Sequence, residues 1–219
     1  EFGQIPEIRQ PEFQGLFGVS VAEINPPLGM YSRTWGYSEH DIADGIHQPL
    51  RASCLAISNL SEKVNLILLA LDLMAWLSRE DEEGIRLPLE DEFNLAPGTL
   101  ITHLSHSHGA TFTDPLLANA PGGHLIQNYR EQILKTCRQL LSEAFENKRA
   151  CVLSWGIGHC SLAFNRDLTL PETGEAVVGI NPSIPADDTL HVGRITTQSG
   201  VHVASLVHYA AHPTSLGGM

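Results

Sequence analysis

The residues with the clearest capacity for chemistry stand in Leu104-Ser105-His106-Ser107-His108-Gly109 and in Val207-His208-Tyr209-Ala210-Ala211-His212-Pro213-Thr214. A neutral imidazole offers a nitrogen lone pair near pH 7, which makes histidine a good zinc ligand. If an apolar strand over residues 99–106 stays extended through the first segment, His106 and His108 project to the same side, because side chains two apart share a face. Gly109 then allows a substrate or a neighbouring backbone to come close. His103 falls at the opposite parity and takes a structural role. The plain alternative for the pair is two polar residues in an exposed turn, and HxH alone fits either. His212 ends an apolar strand that Pro213 terminates. His208, four residues earlier, lies in a strand-like pattern, so the helical HExxH arrangement does not apply. Asp72, at the carboxyl end of an apolar run, can orient a ligand imidazole or bind a backbone N–H at the strand's end. Arg166 by itself reads as a surface ion-pair partner.

Those residues need elements to hold them. Residues 16–24 alternate as a strand and run into Asn25-Pro26-Pro27-Leu28-Gly29, where the prolines stop the ladder. Residues 31–48 lack periodicity and read as a long surface loop. Two apolar runs, 50–58 and 64–73, are spaced like a hairpin, and the run over 64–73 is expected to be buried on both faces. Ser78 with Asp81 favours a helix start, with Pro88 expected to break or bend that helix. Between Leu125 and Asn147 the stripe Ile133, Cys137, Leu140, Leu141, Ala144 and Phe145 predicts an amphipathic helix. Strands follow at 151–161, 190–197 and 201–210, with a Pro- and Asp-rich excursion from Leu168 to Asp188. Together these predict an α/β (α+β) architecture, a mixed β-sheet in layers flanked by a few helices. No internal repeat or domain linker is evident.

Composition narrows the partners. The 219 residues carry a formal charge of -12, which repels phosphate backbones, so nucleic acid is not expected as a partner. No apolar run approaches the ~20 residues a bilayer-spanning helix needs, so no transmembrane segment is expected. Glu1 to Gly15 shows no leader, which implies a soluble protein, cytoplasmic or exported with its signal removed. Cys54, Cys137, Cys151 and Cys160 form no CxxC pair, and three sit in apolar patterns, so buried free thiols are expected.

Several pieces in fixed order resemble the neutral, non-lysosomal ceramidases. The opening Gly18-Val19-Ser20-Val21-Ala22-Glu23-Ile24-Asn25-Pro26-Pro27-Leu28-Gly29-Met30 is similar to that family's short strand and proline turn. Gly45-Ile46-His47-Gln48-Pro49-Leu50-Arg51-Ala52, the strand ending Leu71-Asp72-Leu73, His106-Ser107-His108, Ala163-Phe164-Asn165-Arg166 and Tyr209-Ala210-Ala211-His212-Pro213-Thr214 follow in the family's order. The resemblance implies Zn2+ bound by His106 and His212, with His108 and Arg166 facing the reacting carbonyl and Asp72 behind a ligand imidazole. It implies hydrolysis of the C–N amide bond of a lipid-like N-acyl substrate, and it makes residues 1–219 the amino-terminal part of a single catalytic domain. The chain departs from the family in reading His106-Ser107-His108-Gly109-Ala110-Thr111 where H-T-H-S-G-P is usual. The family's glutamate and tyrosine ligands and its proposed serine nucleophile come from sequence after the second histidine and have no counterparts among these residues.

Two rival readings remain at this level. HxH at a strand end also serves barrel hydrolases of cyclic amides and esters, but those need eight parallel βα units where this sequence shows hairpin-like pairs. The other rival is a binding module that has kept the histidines and lost catalysis.

Overall fold

The computed structural model describes residues 12–36 and 38–214. Residues 1–11, residue 37 and the residues after Thr214 lie outside that description. The chain divides into two compact units, one built on Gln14–Cys151 with Pro213, the other on Val152–His212.

In the first unit, strands β1 (Glu12–Glu23), β2 (Arg51–Ser58), β3 (Val64–Leu71) and β4 (Leu100–Leu104) lie in the order β4-β3-β2-β1. β1, β2 and β3 pair antiparallel, while β3 and β4 pair parallel. The sheet is therefore mixed, as expected. The parallel pair requires a crossover, supplied by helix α1 (Arg79–Glu92). Helix α2 (Ile126–Glu146) buries Ile133, Cys137, Leu140, Leu141 and Ala144, the predicted stripe, in a core shared with Ile67, Leu69 and Leu71 of β3. Gly18 of β1 admits α2 closely: a Cβ there would sit 1.7 Å from the Ala144 carbonyl oxygen. Ser20 Oγ donates to the Leu140 carbonyl at 2.6 Å and Tyr129 Oη donates to that of Ile24, fixing the helix on the strand.

Three expectations change. β3 is buried on one face and half-buried on the other, alternating from Leu66 to Leu71, because the core helices cover one side. Pro88 does not end α1, which runs unbroken to Glu92. Ile85 and Leu89 anchor it in the core, and Arg86 bridges the turns on both sides, 2.8 Å from Glu82 and 2.9 Å from Glu90. Together these offset the hydrogen bond that proline removes. β4 ends at Leu104 rather than at residue 106.

In the second unit β5 (Arg149–His159, entering from the first), β8 (Thr189–Thr197) and β9 (His202–Tyr209) lie in the order β5-β8-β9. The excursion before β8 contains a small antiparallel hairpin, β6 (Asp167–Thr169) with β7 (Ala176–Val178). Its three-residue strands are too short to show a periodic pattern. The cysteines are free thiols, with Cys54, Cys137 and Cys151 buried, as expected.

Candidate metal centre

Parallel pairing brings the carboxyl ends of β3 and β4 to one edge, the position where open α/β sheets bind ligands. Leu71 pairs with Leu104, and the Ser105 N–H donates to the Leu71 carbonyl at 3.0 Å, so the segments after both strands leave side by side. One carries Asp72 to Met74, the other Ser105 to Gly109.

His106 leaves the strand through a left-handed turn, with φ at +55°. Histidine is among the few side-chain-bearing residues enriched there, and such backbone concentrates at functional sites. The expectation that strand alternation brings His106 and His108 to one face is therefore corrected. A turn brings them together instead, with ring centroids 5.2 Å apart and edge to face. His106 Nδ1 lies 2.8 Å from the Met74 carbonyl oxygen. That carbonyl can only accept, so Nδ1 carries the proton and Nε2 carries the lone pair. His108 is also held edge to face by Trp35, at 5.5 Å between centroids, and its carbonyl accepts from Thr34 Oγ1 at 3.0 Å.

Asp72 accepts the Arg51 N–H on Oδ2 at 2.8 Å and donates its own N–H to the Arg51 carbonyl at 2.9 Å. It thus clamps the end of β3 to β2. Asp72, Ser105, Ser107, His108, Trp35 and Pro213 all line one open cleft of about 1100 Å³. The 31–48 loop forms much of its wall, including His47.

The loop after His108 is anchored from below. Thr111 Oγ1 donates to the Tyr31 carbonyl at 2.6 Å, and Thr113 Oγ1 donates to Asp81 Oδ1 at 2.9 Å. Asp81 is fully buried and pairs with Arg130 at 2.7 Å. Burial raises the Asp81 carboxyl above its ordinary range, while Thr113 and Arg130 oppose the rise.

Two expected site residues belong to the second unit. Arg166 is exposed, and its carbonyl accepts the N–H groups of Leu168 and Gly179 at 3.1 and 2.8 Å. The preceding segment is pinned by Tyr209 of β9, whose hydroxyl donates to the Cys160 carbonyl at 2.7 Å and accepts the Ala163 N–H at 2.8 Å. His212, also exposed, follows Tyr209 by three residues and joins Pro213 of the cleft wall. Of the three expected histidines, His106 and His108 belong to the first unit and His212 to the second. All three offer imidazole nitrogen, a donor set suited to zinc. The sequence reading missed Trp35 and the Met74 carbonyl. A backbone acceptor leaves no trace in residue type, and Trp35 lies in a loop without periodicity.

No family model matches the sequence, and no curated protein matches it. Solved structures do. The chain is similar to a ceramidase complexed with C2, with a TM-score of 0.70 and 16% identity over 94% of this chain and 32% of that one. It is also similar to the neutral ceramidase from Pseudomonas aeruginosa, with a TM-score of 0.69 and 16% identity over 95% of this chain and 33% of that one. The chain thus has a ceramidase-like mixed α/β fold and spans about a third of the length of the ceramidase structures it matches. No helix among the described residues is long and apolar enough to cross a membrane.

Proposed function

We propose that this chain is part of a zinc-dependent hydrolase that cleaves the C–N amide bond of an N-acyl, ceramide-like substrate. The ceramidase-like fold supports the reaction class. The observation that carries the metal is the Met74 carbonyl on His106 Nδ1, because it fixes the tautomer and ring direction that a metal-bound imidazole needs.

In this reading His106 and His212 hold the ion, with further ligands from outside the described residues. Zinc supplies Lewis-acid polarisation of the scissile carbonyl and acidification of an attacking water. His108, fixed between His106 and Trp35, donates a hydrogen bond to the oxygen that gains negative charge. Arg166 adds a positive charge to the same oxygen. A donor fixed before reaction costs no reorganisation and is worth about 3 kcal/mol of transition-state stabilisation. Asp72 acts through the strand end: by clamping Arg51 it sets the direction of the segment that carries the Met74 carbonyl. The cleft beside His108 takes the substrate, its wall mixing apolar Pro26, Ile42 and Ile46 with polar Ser105 and Ser107, as an amphiphile requires.

The test is hydrolysis of an N-acylsphingosine by the protein that carries this chain, before and after zinc removal by a chelator. Release of fatty acid and amine that stops on chelation and returns with zinc supports the proposal. No release from the zinc-replete protein overturns the substrate assignment, and release unaffected by chelation overturns the role of the metal.

A further inference from the structure

Four histidines of the second unit take no part in the proposed reaction: His159 on β5, His191 on β8, and His202 and His208 on β9. His191 and His208 are direct partners in the antiparallel register, so both rings stand on one face of the ribbon. Their centroids are 6.0 Å apart, with ring planes tilted by 48°. Two imidazole nitrogens bound at ~2.1 Å to one ion with tetrahedral angles place their centroids about 5 Å apart. A side-chain rotation within a rotamer well closes that difference.

The segment that enters β8 is held by its own aspartates. Asp187 lies in the turn that enters β8, where it accepts the Thr189 N–H on Oδ1 at 2.9 Å. Its acidity is increased first by the N–H and hydroxyl of Thr189. The next residue fixes the turn. Asp188 Oδ1 lies 3.0 Å from His159 Nδ1, and its carbonyl accepts the Cys160 N–H at 2.8 Å. His208 is exposed and His191 is half-buried, so an ion can reach both.

We propose that His191 and His208 form a second metal site, for a divalent transition ion of the zinc, nickel or copper class. Two imidazole nitrogens match that class and exclude calcium or magnesium, which take oxygen ligands. The ion cross-links β8 to β9, so binding stabilises the folded ribbon. Trp155 provides a local reporter. Gly193 shares the face of His191, and a Cβ on it would lie 3.0 Å from Trp155 Cη2, so the indole covers that face two residues away.

The test is a nickel titration of the protein that carries this chain, followed by calorimetry and by metal counting after gel filtration. The parent is compared with His191→Gln, His208→Gln and His106→Ala. The expected result is that the first two variants each weaken one class of nickel binding by about tenfold or more, while His106→Ala leaves that class intact. Nickel binding unchanged in both ribbon variants, or lost only in His106→Ala, overturns the site while leaving the hydrolase proposal standing. A second measurement needs no variant: paramagnetic nickel should broaden the Trp155 indole resonance of the parent at one equivalent. An unbroadened resonance at saturation also overturns the site.

Discussion

His106 Nδ1 and the Met74 carbonyl oxygen lie 2.8 Å apart across the carboxyl ends of two parallel strands. The contact depends on the crossover through α1, since a hairpin would put the two strand ends at opposite edges. It also depends on the left-handed turn at His106. The predicted consequence is that the neutral His106 ring, without metal, is the Nδ1–H tautomer. Long-range 1H–15N correlation of the imidazoles checks this, and a proton found on Nε2 would contradict it.

His108→Gln should lower kcat for amide hydrolysis by about 100-fold with little change in zinc content, as expected for loss of one fixed donor to an oxyanion. Kinetics together with elemental analysis separate the two roles open to this residue. A variant that loses zinc as well would make His108 a ligand.

Gly18→Ala should destabilise the protein by about 1–3 kcal/mol, because its methyl meets the Ala144 backbone oxygen at 1.7 Å and α2 must shift. Gly156→Ala serves as the control, since nothing lies within 4 Å of the new carbon. Urea denaturation of both variants tests the comparison, and equal midpoints would show that α2 does not approach β1 so closely.

Arg130→Met should cost about 3–5 kcal/mol of stability, because it leaves Asp81, at 0% exposure, without its cation. The pH dependence has a definite sign. The Asp81 carboxyl is raised in the folded state by burial, so above its ordinary value of about 3.9 the native state binds more protons than the unfolded chain. Its contribution therefore declines as pH rises from that value through the raised one. Relative to Asp81→Asn, the wild type should lose unfolding free energy across that interval. A difference between the two that stays constant with pH would contradict the raised value.

Much of this fold was legible because burial in the core imposes period. The stripe of α2 and the strand runs at 50–58 and 64–73 follow directly from helices packing on a sheet. Pro88 misled because its cost is local, while the Arg86 ion pairs and the buried Ile85 and Leu89 that offset it act across neighbouring turns and the core. The chemistry of the candidate site was legible in residue types, as with His106, His108 and His212. Its geometry was not, since strand alternation ends at Leu104 and a positive φ at a histidine has no sequence signature. The cross-strand partnership of His191 and His208 needed the register, which no spacing along one strand supplies.

The most direct measurement is a crystal structure of the zinc-soaked protein with anomalous data at the zinc edge. The account predicts one anomalous peak at ~2.0–2.1 Å from both His106 Nε2 and a ring nitrogen of His212. Zinc absent from His106, or bound there with the His212 nitrogen more than about 4 Å from the His106 nitrogen, would contradict it.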